Sequence, residues 1–118
     1  DDTRRSLARG ERVGVDPNAR SVCDALLAPM PGAFTFAINR RLAAGGLAVS
    51  DAEAAHAMRV AFEHLKVVAE PGGAVALAAA LTGKVELRGR TVLVVLSGGN
   101  VDLATFTHLT AAAPALAA

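Results

Sequence analysis

Apolar positions along this chain follow two different periods, and glycine or proline marks most of the breaks between them. The clearest helical stretch lies in the middle. Met58, Phe62, Leu65 and Ala69 recur at three- and four-residue steps, while Arg59, Glu63 and Lys66 fall on other faces. Ser50-Asp51-Ala52-Glu53 opens it with a capping box. The serine oxygen takes one orphan N–H, and the glutamate three residues on reaches back to another. A helix from Ser50 to at least Leu65 is predicted. Pro71 then breaks the period and Gly72-Gly73 loosens it further. A second, alanine-rich helix is predicted from about Gly73 to Leu81, ending at Gly83. TVLVVL, residues 91–96, is a continuous run rich in β-branched residues and too short for a helix. It predicts a strand covered on both faces, as in a parallel sheet between helices.

The flanking pattern is weaker. Residues 2–10 predict a helix with Asp2 as N-cap and Gly10 as stop. Residues 11–20 are polar and predict a loop, SVCDALLAP (21–29) a short strand, and PMPG (29–32) a turn. Phe34 to Ala44 predicts a helix with Phe36, Leu42 and Ala43 on or near one face, stopped by Gly45-Gly46. GLAVS (46–50) predicts a strand, and Asp102 is placed to cap a last helix through about Leu109. Residues 110–118 are low in complexity and predict a frayed tail, leaving one domain portion over 1–109.

The order β-α-β-α-α-β-α is that of an α/β protein: an open, mainly parallel sheet with helices on both faces. Ligands in such sheets sit beyond the carboxyl ends of the strands. That singles out Ser97-Gly98-Gly99-Asn100, after the apolar run, and Glu70-Pro71-Gly72-Gly73, between two helices.

Composition narrows the function classes. The 118 residues suffice for one small core, and they are 53% hydrophobic but only 3% aromatic, so small side chains must fill it. A net charge of +1 and the scarcity of aromatic platforms argue against nucleic acid. No apolar run approaches the roughly 18–20 residues of a membrane span. The one cysteine, Cys23, cannot form an internal disulfide, is expected to be a small buried apolar residue, and suits a reducing, cytoplasmic setting. The chain opens Asp1-Asp2-Thr3 without methionine, which suggests a piece or a processed product.

Each glycine pair admits two readings. Ser97–Asn100 is either a tight strand-to-helix turn or a place where missing Cβ atoms let a ligand approach a hydroxyl and an amide. Glu70 is either a solvated helix end before a helix-starting proline or a carboxylate aimed into a cleft. Neither segment has the lysine of a phosphate loop nor a G-x-G-x-x-G pattern. Lys66 and Lys84 are the only lysines, and both fall in patterns that suggest solvation. His56, His64 and His108 lack metal-ligand companions.

Taken together, VAEPGGAVALAAAL followed by GKVELRGRTVLVVLSGGNVDL resembles the C-terminal part of fold-type II pyridoxal-phosphate enzymes, most closely the serine/threonine dehydratase and serine racemase family. SVCDALLAPMPGAFTFAINRRLAAGGLAVSDAE is similar to the stretch before that family's long helix. The pairing of E-P-x-G-A with S-G-G-N-V-D carries the resemblance, which covers roughly residues 1–109.

The resemblance implies a site. Ser97 matches the serine whose hydroxyl faces the pyridine nitrogen of pyridoxal 5'-phosphate, Gly98, Gly99 and Asn100 match the turn beside it, and Glu70 matches a cleft glutamate. Gly72 stands where the family commonly has serine or threonine, so a hydroxyl role there is absent. Asp1-Asp2 resembles the end of a divalent-cation loop, which implies Asp2 as a ligand of Mg2+, although the N-cap reading of Asp2 stands beside that one. The Schiff-base lysine and the phosphate loop would lie upstream, so no catalytic residue is expected in this chain and it is expected to be inactive alone.

The implied parent is an ammonia-lyase acting on a β-hydroxy amino acid, acting as a homo-oligomer such as a dimer, with the missing N-terminal portion as this chain's partner. Serine racemase, another fold-type II lyase such as threonine synthase, and a non-catalytic structural or interaction fragment remain as alternatives.

Overall fold

A computed structural model describes residues 1–113 of the chain. These residues divide into two compact units, one of residues 1–21 and 25–48, the other of residues 22–24 and 49 onward.

The smaller unit is built on two helices, α1 (Asp2–Arg9) and α2 (Ala33–Leu42). Asp1, not Asp2, is the N-cap of α1, and Asp2 is its first helical residue. The Asp1 carboxylate instead accepts from the guanidinium groups of Arg4 and Arg5, one turn further on. Gly10 ends α1 in the left-handed region at φ 72°, where glycine pays no Cβ penalty. The loop behind it is tied back by the Val13 N–H donating to the buried Ser6 hydroxyl at 2.8 Å, and by Arg5 donating to the Gly14 carbonyl at 3.0 Å. Only Phe36 of α2 is buried. Leu42 is 79% exposed, so the expected Phe36–Leu42–Ala43 face does not form.

The larger unit carries the core. Helix α3 (Asp51–Val60) begins as predicted: Ser50 accepts from the Glu53 N–H, and the Glu53 carboxylate accepts from the Ser50 N–H at 2.6 Å. Its last turn, Ala61–Leu65, widens to π geometry and closes on Lys66 at φ 59°. Met58, before this turn, is fully buried, while Phe62 and Leu65 within it are half exposed and Ala69 packs from beyond the helix end. A short 3₁₀ turn, Gly72–Ala74, leads into α4 (Val75–Leu81). Ala57, Met58, Ala69, Ala74, Ala78 and Phe106 form the buried cluster, the small-residue core that the composition implied. Phe106 comes from α5 (Leu103–Ala112), and its ring meets Phe62 edge-on at 5.4 Å.

Asp102 caps α5 as expected, accepting from the Thr105 N–H at 2.9 Å. The helix runs on to Ala112, past the expected end near Leu109, and residues 114–118 of the expected tail lie outside the described residues.

None of the three expected strands is formed among the described residues. Residues 21–29 hold a 3₁₀ turn at Asp24–Leu26, and residues 46–50 and 91–96 have no regular structure. A strand exists by its ladder to a neighbour. No such ladder occurs among the described residues, and none of their backbone hydrogen bonds outside helices involves residues 91–96. Leu93 is 91% exposed and Val95 61% exposed, the reverse of a strand covered on both faces.

Candidate functional site

The structure brings the two Gly-Gly segments together. Both belong to the larger unit. The Glu70 N–H donates to the Gly98 carbonyl at 3.0 Å, and the Ser97 N–H donates to the Gly73 carbonyl at 3.3 Å. These two bonds clamp residues 70–73 to residues 97–98.

Local sequence explains each half. Pro71 takes helical dihedrals at the start of the 3₁₀ turn, where its missing N–H costs nothing. The Ala74 N–H is shared between the carbonyls of Glu70 and Pro71, at 3.1 and 3.2 Å, which closes the turn. Residues 71–74 are buried, with Ala74 at the core. On the other half, the Val101 N–H returns to the Gly99 carbonyl at 2.9 Å, and Asp102 then starts α5. The Thr105 side chain, and after it the Thr105 N–H, hold the Asp102 carboxyl below its ordinary value.

The glycines permit this approach. A Cβ on Gly73 would lie 2.5 Å from the Gly98 carbonyl oxygen, and one on Gly99 would lie 2.6 Å from the Val68 carbonyl oxygen. Any larger residue at either position would push the two backbones apart.

The outer surface of the clamp is polar and free. Ser97 and Asn100 are exposed, and neither the Ser97 hydroxyl nor the Asn100 amide has a hydrogen-bond partner among the described residues. Glu70 is half-buried, its carboxylate lying over Gly98. The clamp thus offers a neutral hydroxyl, an amide and a carboxylate around backbone without side chains.

The other candidates fall elsewhere. The Lys66 ammonium donates to the Glu63 carbonyl at 2.7 Å, and Lys84 pairs with Glu53 at 3.0 Å. The Ser50 N–H first, and Lys84 after it, hold the Glu53 carboxyl below its ordinary value. Lys84 thus has a structural partner that its sequence setting did not suggest. Asp2 is buried in the smaller unit, and the described residues hold no group of three His, Cys, Asp or Glu that could bind a metal. Cys23 is buried, as expected. Sequence reasoning also missed an open, largely apolar groove of about 650 Å³, lined by Phe62, Val68, Val101, Leu103 and Phe106 among others. Phe62, half exposed, forms part of its wall.

A family of pyridoxal-phosphate dependent enzymes matches residues 1–98. The chain belongs to this family. It is 36% identical over 108 residues to an L-threo-3-hydroxyaspartate ammonia-lyase of a Pseudomonas species, covering 92% of this chain and 34% of that protein. It is 39% identical over 100 residues to an L-threonine ammonia-lyase of Thermotoga maritima, covering 83% of this chain and 24% of that protein. Among solved structures, maize serine racemase superposes with a TM-score of 0.79 at 34% identity, over 92% of this chain and 35% of that one. The fold is therefore that of the fold-type II, α/β pyridoxal-phosphate enzymes, and the chain spans about a quarter to a third of the length of the relatives it matches. No helix among the described residues is long and apolar enough to cross a membrane.

Proposed function

We propose that the clamp of residues 70–73 and 97–100 is one wall of a pyridoxal-phosphate cleft. The enzyme it serves is an ammonia-lyase that converts serine, threonine or a similar β-hydroxy amino acid to a 2-oxo acid and ammonia. One observation carries the reading: the exposed Ser97 hydroxyl, without a hydrogen-bond partner among the described residues, stands on a backbone fixed from behind by the Ser97–Gly73 and Glu70–Gly98 bonds.

The donor set fits the cofactor. Bound there, pyridoxal phosphate supplies an electron sink for the α-carbon of the amino acid. Ser97 offers the ring nitrogen a single neutral hydrogen bond and, unlike a carboxylate, holds no full proton there. That tempers the sink. It suits prompt loss of the β-hydroxyl more than a long-lived carbanion, which favours elimination over racemisation. Asn100 adds a second neutral polar group beside Ser97, and Glu70 adds the carboxylate. Gly98 and Gly99 keep the surface free of side chains, so a flat ring can approach the hydroxyl.

Several finer features belong to the same proposal. The run 91–96 joins an open, mainly parallel sheet completed by chain outside this sequence, with helices on both faces. Asp2 supplies one carboxylate oxygen to a Mg2+ ion whose other ligands come from that chain. The Schiff-base lysine is also supplied there, since Lys66 and Lys84 are engaged with Glu63 and Glu53. The working enzyme is a cytoplasmic homo-oligomer.

Turnover of the full-length enzyme tests the reading. Ser97→Ala removes one neutral hydrogen bond, about 0.5–1.5 kcal/mol, or up to roughly tenfold in kcat if the bond strengthens during reaction. Ser97→Asp is expected to shift the ratio of 2-oxo acid formation to racemisation. Wild-type rates and ratios in both variants, at full cofactor occupancy, would reduce Ser97 to a turn residue.

A further inference from the structure

The three glycines of the clamp differ in what an added side chain would strike. At Gly73 it is the Gly98 backbone, with the carbonyl oxygen at 2.5 Å and the nitrogen at 2.8 Å. At Gly99 it is the Val68 carbonyl oxygen at 2.6 Å. At Gly98 the added atom would overlap Oε1 of Glu70 and lie 2.9 Å from its Cδ, with no backbone atom among its three nearest neighbours. Backbone cannot yield without dragging the clamp apart. A carboxylate at the tip of a flexible side chain can rotate away at the cost of a rotamer change.

We infer that Gly98 is a positioning residue for Glu70: the missing Cβ at 98 is what lets the Glu70 carboxylate stand over the Ser97–Asn100 turn. The Glu70 main chain cannot follow its side chain, because its N–H is tied to the Gly98 carbonyl at 3.0 Å. A methyl group at 98 is therefore absorbed by the side-chain torsions of Glu70 alone. The fold survives and the carboxylate moves. Gly73 and Gly99 serve the opposite purpose, since they permit the backbone approach itself. The functional half of the inference rests on the proposed cleft, in which the position of the Glu70 carboxylate matters to turnover. The geometric half does not.

The test uses the full-length enzyme. In its cofactor-free form, carbon-13 NMR of labelled glutamate, with the Glu70 carboxyl assigned by Glu70→Gln, reads the surroundings of the carboxylate. Gly98→Ala is expected to shift that resonance while the melting temperature stays within about 2 °C of wild type. Gly73→Ala and Gly99→Ala are expected to lower it by roughly 5 °C or more, as overpacking against backbone does.

In the loaded enzyme, Glu70→Ala and Gly98→Ala should each lower kcat about tenfold or more, the loss expected for one hydrogen bond to a charged group. The double variant should be no worse than either. An unmoved Glu70 resonance in a folded Gly98→Ala protein would overturn the inference. So would a melting temperature that falls as far as in Gly73→Ala. A resonance that moves, together with wild-type kcat in Glu70→Ala, would uphold the control of Glu70 by Gly98 and refute the role of Glu70 in the cleft instead.

Discussion

The Glu70 N–H is bonded to the carbonyl of Gly98 at 3.0 Å, and this single contact decides how the two glycine pairs relate. It sets the carboxylate of one segment over the backbone of the other. With the return bond from Ser97 to Gly73, it makes Glu70 and Ser97 parts of one surface. The core holds that surface from behind, since Ala69 and Ala74, on either side of the 70–73 segment, are both fully buried.

Lys66 is the one described non-glycine residue with positive φ, at 59°. A side chain in that region costs about 1–2 kcal/mol, and glycine there returns part of it as extra entropy of the unfolded chain, so Lys66→Gly is expected to stabilise by about 0.5–1 kcal/mol. The ammonium bond to the Glu63 carbonyl that is lost is exposed and adds little. Denaturant midpoints measure the difference. A destabilised variant would mean that the lysine contacts outweigh the backbone strain.

Acid should loosen the start of α3. The Glu53 carboxyl is held below its ordinary value of 4.5 by the Ser50 N–H and then by Lys84. A carboxyl whose folded value is depressed stabilises the fold above its unfolded value, and that stability is lost as pH falls through the folded one. Glu53→Gln should therefore be less stable than wild type at neutral pH, with the gap closing as pH drops below about 4.5. Ser50→Ala should cost about 1 kcal/mol at neutral pH through the lost cap. Urea midpoints across pH give both readings, and a gap independent of pH would refute the linkage.

Local signals were legible in the sequence, and signals that depend on a distant partner were not. The Ser50–Glu53 capping box and the Asp102 cap involve residues three apart, so spacing alone defines them. The π turn at Ala61–Leu65 left no mark, because Met58, Phe62 and Leu65 fit an α period equally well. The run 91–96 has the composition of a buried strand, yet a strand needs a ladder partner and none lies among the described residues. At the site, the glycine pairs and the family resemblance picked out both segments. What each glycine faces was invisible, since Gly98 meets a side chain and Gly73 a backbone only through the tertiary contact.

That run supplies a further prediction. Val92, Leu93 and Val95 are exposed here, and the proposed sheet would bury them in the full-length enzyme. Amides 92–96 should exchange with solvent at near free-peptide rates in this chain and be strongly protected in the full-length enzyme. Equally fast exchange in both, read by mass spectrometry or NMR, would remove the proposed strand.

The central claim is that the Ser97 hydroxyl faces the ring nitrogen of a bound cofactor. Nitrogen-15 NMR of the full-length enzyme loaded with ring-labelled pyridoxal phosphate tests it at the atom concerned. The expected result is a resonance of an unprotonated, hydrogen-bonded nitrogen in wild type. Ser97→Ala should move it toward that of an unbonded nitrogen, and Ser97→Asp in the opposite direction, toward a protonated one. One unchanged resonance across all three proteins, at full cofactor occupancy, would contradict the account.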